Sequence, residues 1–450
     1  MNTRDNRSAG LLAYETGKTV RALLLSASAM LLGTIFATTA WGGGIAIYEM
    51  GTPDTGTAIA GRAALGEDAS TAMLNPAAMT RLQQSQLLVG LQPMVFDAKF
   101  NSASDTQLVP PGIPQGGDGG NAIGLVVAGG AFYVYSVNDD LKLGAGFGSY
   151  AGGALQYEDD WVGRYYNQQA EFLTLAFNPT VAYRIADWLS VGGGPMLLWG
   201  QVRQRAAINN ALPERDAAYP DGQLDFKDDG FAPGGNIGLF SEPIAGTRLG
   251  LQYFTPVNFT FKDSGISSGL GPVLTRRLQA TGLLDGTVDM DVTIPQMLMV
   301  SAYHQLTDTV AIMGNFGWQQ WSQFGLPEIS LTGENAKSFT ADLDYSDTYH
   351  GALGVHYRIA EPWLLTAGFA YDSSPLTATH RSPALPLDRQ MRIALGARHD
   401  VSESVTIGAQ FEYLHLFSSN IQRENPLQGR LHGDYSPNFG LIASLTIAVR

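Results

Sequence analysis

From about residue 84 to the C-terminus, apolar residues alternate with small or polar ones. Along 171–184, Leu173, Leu175, Phe177, Val181 and Tyr183 fall on one face, and Thr174, Ala176, Asn178, Thr180 and Ala182 on the other. Val405, Ile407, Ala409 and Phe411 stand against Thr406, Gly408, Gln410 and Glu412. Leu441, Ala443, Leu445, Ile447 and Val449 stand against Ser444, Thr446 and Ala448. A period of two sends successive side chains to opposite faces of a strand. One apolar face, with Gln, Glu, Arg and Gly on the other, fits a wall between lipid and a watery lumen. The pattern predicts an all-β chain, a transmembrane antiparallel β-barrel of about fourteen strands.

Composition agrees. The chain has 53 Gly and only 15% charged residues, against about 7% Gly and about 25% charged in an average soluble domain. With no Cys there is no disulfide framework and no thiolate metal site. The net charge is −14. Residues 1–42 carry Arg4, Arg7, Lys18 and Arg21 against Asp5 and Glu15, leaving everything after them more acidic still. No Lys/Arg cluster follows, so nucleic acid is not an expected partner. A basic start ending at Arg21, the apolar run Ala22 to Phe36 and the small residues Ala37-Thr38-Thr39-Ala40 read as a signal peptide over 1–42. The rival reading, an N-terminal anchor, is opposed by those small residues. No later run reaches the ~18 apolar residues a spanning helix needs, so an exported chain that crosses lipid must do so as a closed barrel.

The expected strands are 84–98, 123–137, 140–151, 171–185, 188–203, 231–241, 247–262, 289–305, 309–324, 347–359, 363–373, 389–400, 404–417 and 434–449. Short connections, such as Thr307-Asp308 and Ser402-Glu403, alternate with long ones, such as 204–230 and 263–288. Outer-membrane barrels have short periplasmic turns and long extracellular loops. Trp188 and Trp363 follow short turns, where an interfacial girdle would sit. Pro93, Pro179, Pro195, Pro256 and Pro295 fall inside expected strands and predict kinks or bulges. Gly144, Gly146 and Gly148 share a face of the third strand and leave room for something packed inside the wall.

Before the first strand, Gly43 to Leu82 lacks alternation. It contains Gly61-Arg62-Ala63-Ala64-Leu65-Gly66-Glu67-Asp68-Ala69-Ser70-Thr71 and then Asn75-Pro76-Ala77-Ala78-Met79. This resembles the N-terminal hatch of the FadL/TodX family, outer-membrane transporters of long-chain fatty acids and aromatic hydrocarbons. The likeness continues at Asn178 to Arg184 with Asp187 to Gly192, at Trp318-Gln319-Gln320-Trp321-Ser322-Gln323-Phe324, and at Glu361-Pro362-Trp363, Gly368, Tyr371-Asp372 and Pro375. The resemblance implies a hatch over 43–83 plugging a barrel over 84–450. It also implies ligand capture among extracellular loops, an interior pocket beside the hatch, hatch rearrangement, and sideways release at a kinked third strand. Gly144, Gly146 and Gly148 would then mark the lateral gap.

Candidate site residues follow. Asn75, Pro76 and Ala77 are the expected hatch hinge or anchor, although Asn-Pro alone is a turn signal. Asp68 is expected to pair with a lumen arginine among Arg184, Arg248, Arg358, Arg392 and Arg398, or else to join ordinary lumen ion pairs. Trp321 and Phe324 are candidates for the ligand path or a girdle, with Trp321 inward and Trp318 outward. Phe254 and Leu414 are apolar at inward positions and would form pocket wall or pack the hatch. An inward arginine would meet the carboxylate of a fatty acid; which one stays open.

No catalytic residue, metal or cofactor is expected. His350 and His356 lie six residues apart on one strand, roughly 20 Å, too far for one ion. Gly265-Ile266-Ser267-Ser268-Gly269 matches a hydrolase pattern without the strand-to-helix setting that chemistry needs. Glu158-Asp159-Asp160 lacks calcium-loop spacing. The expected function is passive outer-membrane transport of a hydrophobic small molecule in a Gram-negative cell, long-chain fatty acids first and aromatic hydrocarbons second, by a monomer embedded in outer-membrane lipid. A lipid hydrolase would need a Ser–His arrangement that the face assignments do not supply. An open porin for polar solutes would have no use for the hatch.

Overall fold

The computed structural model describes Tyr48, 50–264, 266–280, 284, 287–324, 328–332, 338–340 and 344–450. The expected signal peptide, the first residues of the hatch segment and Gly265 of the hydrolase-like pattern lie outside the described residues.

Among the described residues, fourteen antiparallel strands close into a barrel. They are β1 (Gln86–Ser102), β2 (Leu125–Ser136), β3 (Leu141–Gln156), β4 (Gln169–Ala186), β5 (Leu189–Ile208), β6 (Gly222–Ile244), β7 (Thr247–Phe254), β8 (Met297–Gln305), β9 (Val310–Gln319), β10 (Thr348–Ala360), β11 (Trp363–Asp372), β12 (Gln390–Ser402), β13 (Val405–His415) and β14 (Gly429–Val449). Each pairs with its neighbours in sequence, and β1 closes on β14 from Leu87↔Val449 to Ser102↔Gly433. Closure pairs the first strand with the last, the way a sheet can span hydrocarbon.

The period-two reading of the faces holds in three dimensions. Phe177, Val181 and Tyr183 point outward and are exposed, as are Ile407, Phe411, Leu441 and Leu445. Leu353 and Phe231 leave 71% and 69% of their surface uncovered. Water would penalise so broad an apolar belt; bilayer hydrocarbon does not. Short turns link β2–β3, β4–β5, β6–β7, β8–β9, β10–β11 and β12–β13, and the long loops open at the other end. Trp188 and Trp363 are exposed at the short-turn end, where Trp363 stacks on His399 with ring centroids 4.2 Å apart.

Two expected strands run too far. The segments 247–262 and 289–305 each break beside a proline, at Pro256 and Pro295. Below the break they are β7 and β8. Above it, Val257–Ser264 and Thr287–Ile294 pair with each other in a separate four-stranded sheet with Glu328–Thr332 and Ser338–Thr340. Proline supplies no ladder N–H, so each site is a natural hinge. Pro179 and Pro195 face each other across β4 and β5, where pairing lapses between Phe177↔Leu197 and Val181↔Gly193. The Asn178 Nδ2 donates to the Pro195 carbonyl at 2.8 Å and recovers part of the loss. The expected strand 309–324 also stops early, at Gln319; Trp321–Gln323 is a 3-10 turn.

Residues 50–82 fill the lumen. They form short turns, Pro53–Thr57 and Pro76–Arg81, around a single helical turn, α1 (Thr71–Leu74). Nearly every residue is buried. Ala, Gly and Thr dominate because the hatch backbone runs directly against the wall. A Cβ at Gly250 would collide with the Ala63 carbonyl, and one at Gly192 would lie 2.6 Å from the Ala77 nitrogen.

Candidate functional site

The hatch is tied to strands all round the barrel. The Gly51 N–H donates to Gln92 Oε1 of β1 at 2.5 Å, and the Gly61 N–H to Asn315 Oδ1 of β9 at 3.1 Å. The Ala63 N–H donates to Ser301 Oγ of β8 at 3.1 Å. From the wall, Thr180 Oγ1 donates to the Ala72 carbonyl at 2.9 Å, Asn236 Nδ2 to the Met73 carbonyl at 2.8 Å, and Arg184 Nη2 to the Thr80 carbonyl at 2.6 Å. A segment without regular structure must find partners for its buried polar groups one by one.

Asn75 bonds both within the hatch and to the wall. Its Nδ2 donates to the Ala63 carbonyl at 2.6 Å and to the Leu239 carbonyl of β6 at 3.1 Å. Pro76 opens the following 3-10 turn, and Ala77 packs against β5 where Gly192 leaves space.

The arginine partner of the hatch is Glu67, not Asp68. Glu67 lies 2.9 Å from Arg398 Nη1, 3.2 Å from Arg248 Nη1 and 4.0 Å from His356 Nδ1. Asp68 turns inward and accepts from the Ser70 N–H at 3.0 Å and its hydroxyl at 2.5 Å. In a turn, adjacent side chains diverge, so strand-style face counting cannot choose between them. Burial drives the Glu67 carboxyl up, but His356, Arg398, Arg248 and Arg81 outweigh it and hold the group below the usual carboxylate range. For Asp68 burial wins over Arg398 and the Ser70 donors, and its carboxyl is pushed up.

Two cavities open on the long-loop side of the hatch. The first spans about 990 Å³, its mouth included, among Met94, Phe96, Leu155, Leu385, Leu414 and Ile442, with Trp321 on one wall and Asp372 and Arg392 at its polar end. The second, about 510 Å³ with its open mouth included, lies against the hatch itself, among Met50, Leu74, Tyr150, Phe254, Met297 and Met299. Tyr48 and Gln319 line both, and the Gln319 amide donates to the Tyr48 hydroxyl. Of the expected ligand residues, the structure places Trp321 and Leu414 in the first cavity and Phe254 in the second. Phe324 stands behind Trp321, ring centroids 4.9 Å apart. Trp318, assigned outward, is half-buried and its Nε1 donates to Asp347 Oδ2 at 3.0 Å. Tyr48 escapes sequence reasoning because the hatch has no periodicity to mark it.

The third strand is irregular just above its three glycines, between Ser149 and Gly152. Gly144 and Gly146 face Met79 and Met73 of the hatch, whereas Gly148 abuts the β2 backbone at Gly129 and Gly130. The β2–β3 ladder ends at Gly130↔Gly148, although β2 continues to Leu125 along β1. Against β4, β3 shifts register between Ser149 and Gly152. Thr174 Oγ1 accepts from the Ala151 N–H at 2.8 Å and donates to its carbonyl at 2.6 Å. From Tyr150 to Leu155 every residue is buried; the strand stays paired with β4 from Gly152 to Gln156, while its pairing with β2 has ended. On the short-turn side, below the hatch, a wide polar vestibule is lined by Glu67, Arg81, Lys142, Arg184, Glu242 and Arg450.

Among the described residues no group of His, Asp and Glu is arranged to hold a metal ion. His350 Nδ1 is engaged by Asp372 Oδ1 at 2.8 Å.

A hatch-plugged, closed barrel with apolar cavities above the plug defines an outer-membrane channel of the hydrophobic-transport type. Residues 33–448 match the family described as outer membrane protein transport protein (OMPP1/FadL/TodX), and the chain belongs to that family. Outer membrane protein P1 of Haemophilus influenzae is 27% identical over 427 residues, covering 87% of this chain and 89% of the relative. The long-chain fatty acid transport protein of Escherichia coli O6:H1 is 25% identical over 404 residues, covering 85% and 89%. Among solved structures, a Pseudomonas aeruginosa FadL homologue superposes with a TM-score of 0.79 at 20% identity, covering 90% of this chain and 99% of its own. The Pseudomonas putida toluene transporter TodX superposes at 0.59 with 16% identity, covering 85% and 94%. Family membership places the chain in the outer membrane of a Gram-negative cell, as a transporter and not an enzyme.

Proposed function

We propose that this chain carries hydrophobic small molecules passively through the outer membrane and releases them sideways into the bilayer. The observation that carries the reading is Tyr150. It sits on the β3 irregularity where the β2–β3 ladder ends and also forms a wall of the cavity against the hatch. A ligand held there is one side chain from the opening in the wall, with the polar vestibule shut off beneath it by the hatch.

The path is a sequence of apolar surfaces: the first cavity with Trp321 and Leu414, the Tyr48–Gln319 partition, then the second cavity with Phe254. Each methylene buried contributes ~0.8 kcal/mol, which draws an alkyl or aromatic body through the polar layer outside the membrane. Small rearrangements of Tyr48 and of the hatch beside Met50 and Leu74 would pass it on toward Tyr150. Long-chain fatty acids are the leading ligand because relatives spanning most of the chain carry that name; aromatic hydrocarbons, the ligands of TodX-type neighbours, come second. The working unit is a monomer surrounded by outer-membrane lipid. Proteoliposomes containing the purified protein should take up a fluorescent alkyl probe saturably and without cleaving it. Uptake no faster than in protein-free vesicles, or steady release of a cleaved product, would overturn the reading.

A further inference from the structure

Each of the two cavities contains one arginine, and the protein's own carboxylates already match both. Arg392, at the polar end of the first cavity, stands between two carboxylates of the protein. Its Nη1 donates to Asp372 Oδ2, its Nη2 donates to Gln390 Oε1 at 2.9 Å, and its Nε lies 3.3 Å from Glu412 Oε1. The Arg392 and Glu412 side chains are 3% and 0% exposed, so water screens neither. Asp372 has its other oxygen on His350. A third acid of this cavity, Asp388, lies 3.4 Å from Arg381. In the second cavity, Arg62 Nε donates to Asp54 Oδ2 at 2.6 Å and Nη2 to the Tyr48 carbonyl at 2.7 Å.

We propose that this lumen selects its ligands for absence of charge: it takes a neutral hydrocarbon, ester or alcohol, or the protonated form of an acid, and discriminates against the ionised carboxylate of the same chain length. The inference rests on the transport reading above and specifies its substrate class. An ionised headgroup gains most from an arginine whose charge the protein's own acids do not already offset. At Arg392 it would meet Asp372 and Glu412 within the same small volume, two like charges in a site shielded from water. Its own desolvation would then go uncompensated. The apolar tail, by contrast, fits equally well with either headgroup, because Met94, Phe96, Leu414 and Ile442 make no distinction.

The test is competition on the purified full chain in detergent, displacing a neutral fluorescent alkyl probe with palmitate or with methyl palmitate at pH 8, each corrected for micelle partition. The ester should displace the probe at least tenfold more effectively than the ionised acid. Asp372→Asn removes one competing carboxylate from Arg392, so the acid-to-ester ratio should rise about tenfold. Glu412→Gln should move it the same way and serves if the first variant does not fold. An acid that matches or outcompetes the ester in the natural protein overturns the proposal, as does a ratio unmoved by both substitutions. If neither ligand displaces the probe, the transport reading fails first and takes this one with it.

Discussion

Replacing Glu67 by glutamine removes the carboxylate that faces Arg248, Arg398 and His356 together and joins the base of the hatch to β7, β10 and β12. Breaking a fully buried ion pair by removing one partner costs ~3–5 kcal/mol. Glu67 keeps 17% of its side chain exposed to the polar vestibule, and Arg248 retains Glu242 at 3.8 Å. Both soften the loss, to about 2–3 kcal/mol. At about 1.4 kcal/mol per decade, that shifts the seated-to-unseated balance of the hatch roughly 30- to 150-fold. The carboxyl is held below its ordinary value, so its contribution is full above about pH 4.3, the unfolded value, and fades only as pH falls through the depressed folded one. Glu67→Gln should therefore lower the denaturation midpoint at neutral pH, add brief openings in planar-bilayer recordings, and converge with the natural protein in strong acid. An unchanged midpoint together with an unchanged conductance trace would refute the latch.

Gly250→Val places a side chain where the Ala63 carbonyl runs and should cost about 1–3 kcal/mol by overpacking, read as a lower unfolding midpoint and a leak to small polar solutes. Trp321→Ala should weaken binding of a neutral alkyl probe about tenfold, and Phe324→Ala should do less, since Phe324 stands behind that ring; the reverse order would place the contact elsewhere. Leu395→Arg puts a charge on the lipid face halfway along β12, where Leu395 is 60% exposed, and should cost ~2–4 kcal/mol in refolding into lipid vesicles. A neutral result would mean that this face does not meet hydrocarbon.

The barrel was legible in the amino-acid order because alternation is a local property. Every strand declares its lipid face within a few residues, and the solvent on each side rewards the same choice fourteen times. The alternation of short and long connections set which end carries the loops, and the prolines of β4 and β5 marked a lapse in the wall's pairing, whereas the irregularity of β3 falls between Ser149 and Gly152, above its glycines. Asn75-Pro76-Ala77 was recognisable as a motif, but its partner was not: Asn75 reaches the Leu239 carbonyl of β6, 164 residues away. Glu67 over Asp68, Tyr48 between two cavities and the pairing of Arg392 with Asp372 and Glu412 have no local signature. Each depends on a hatch without period meeting strands distant in sequence, and only barrel closure brings those groups within hydrogen-bonding reach.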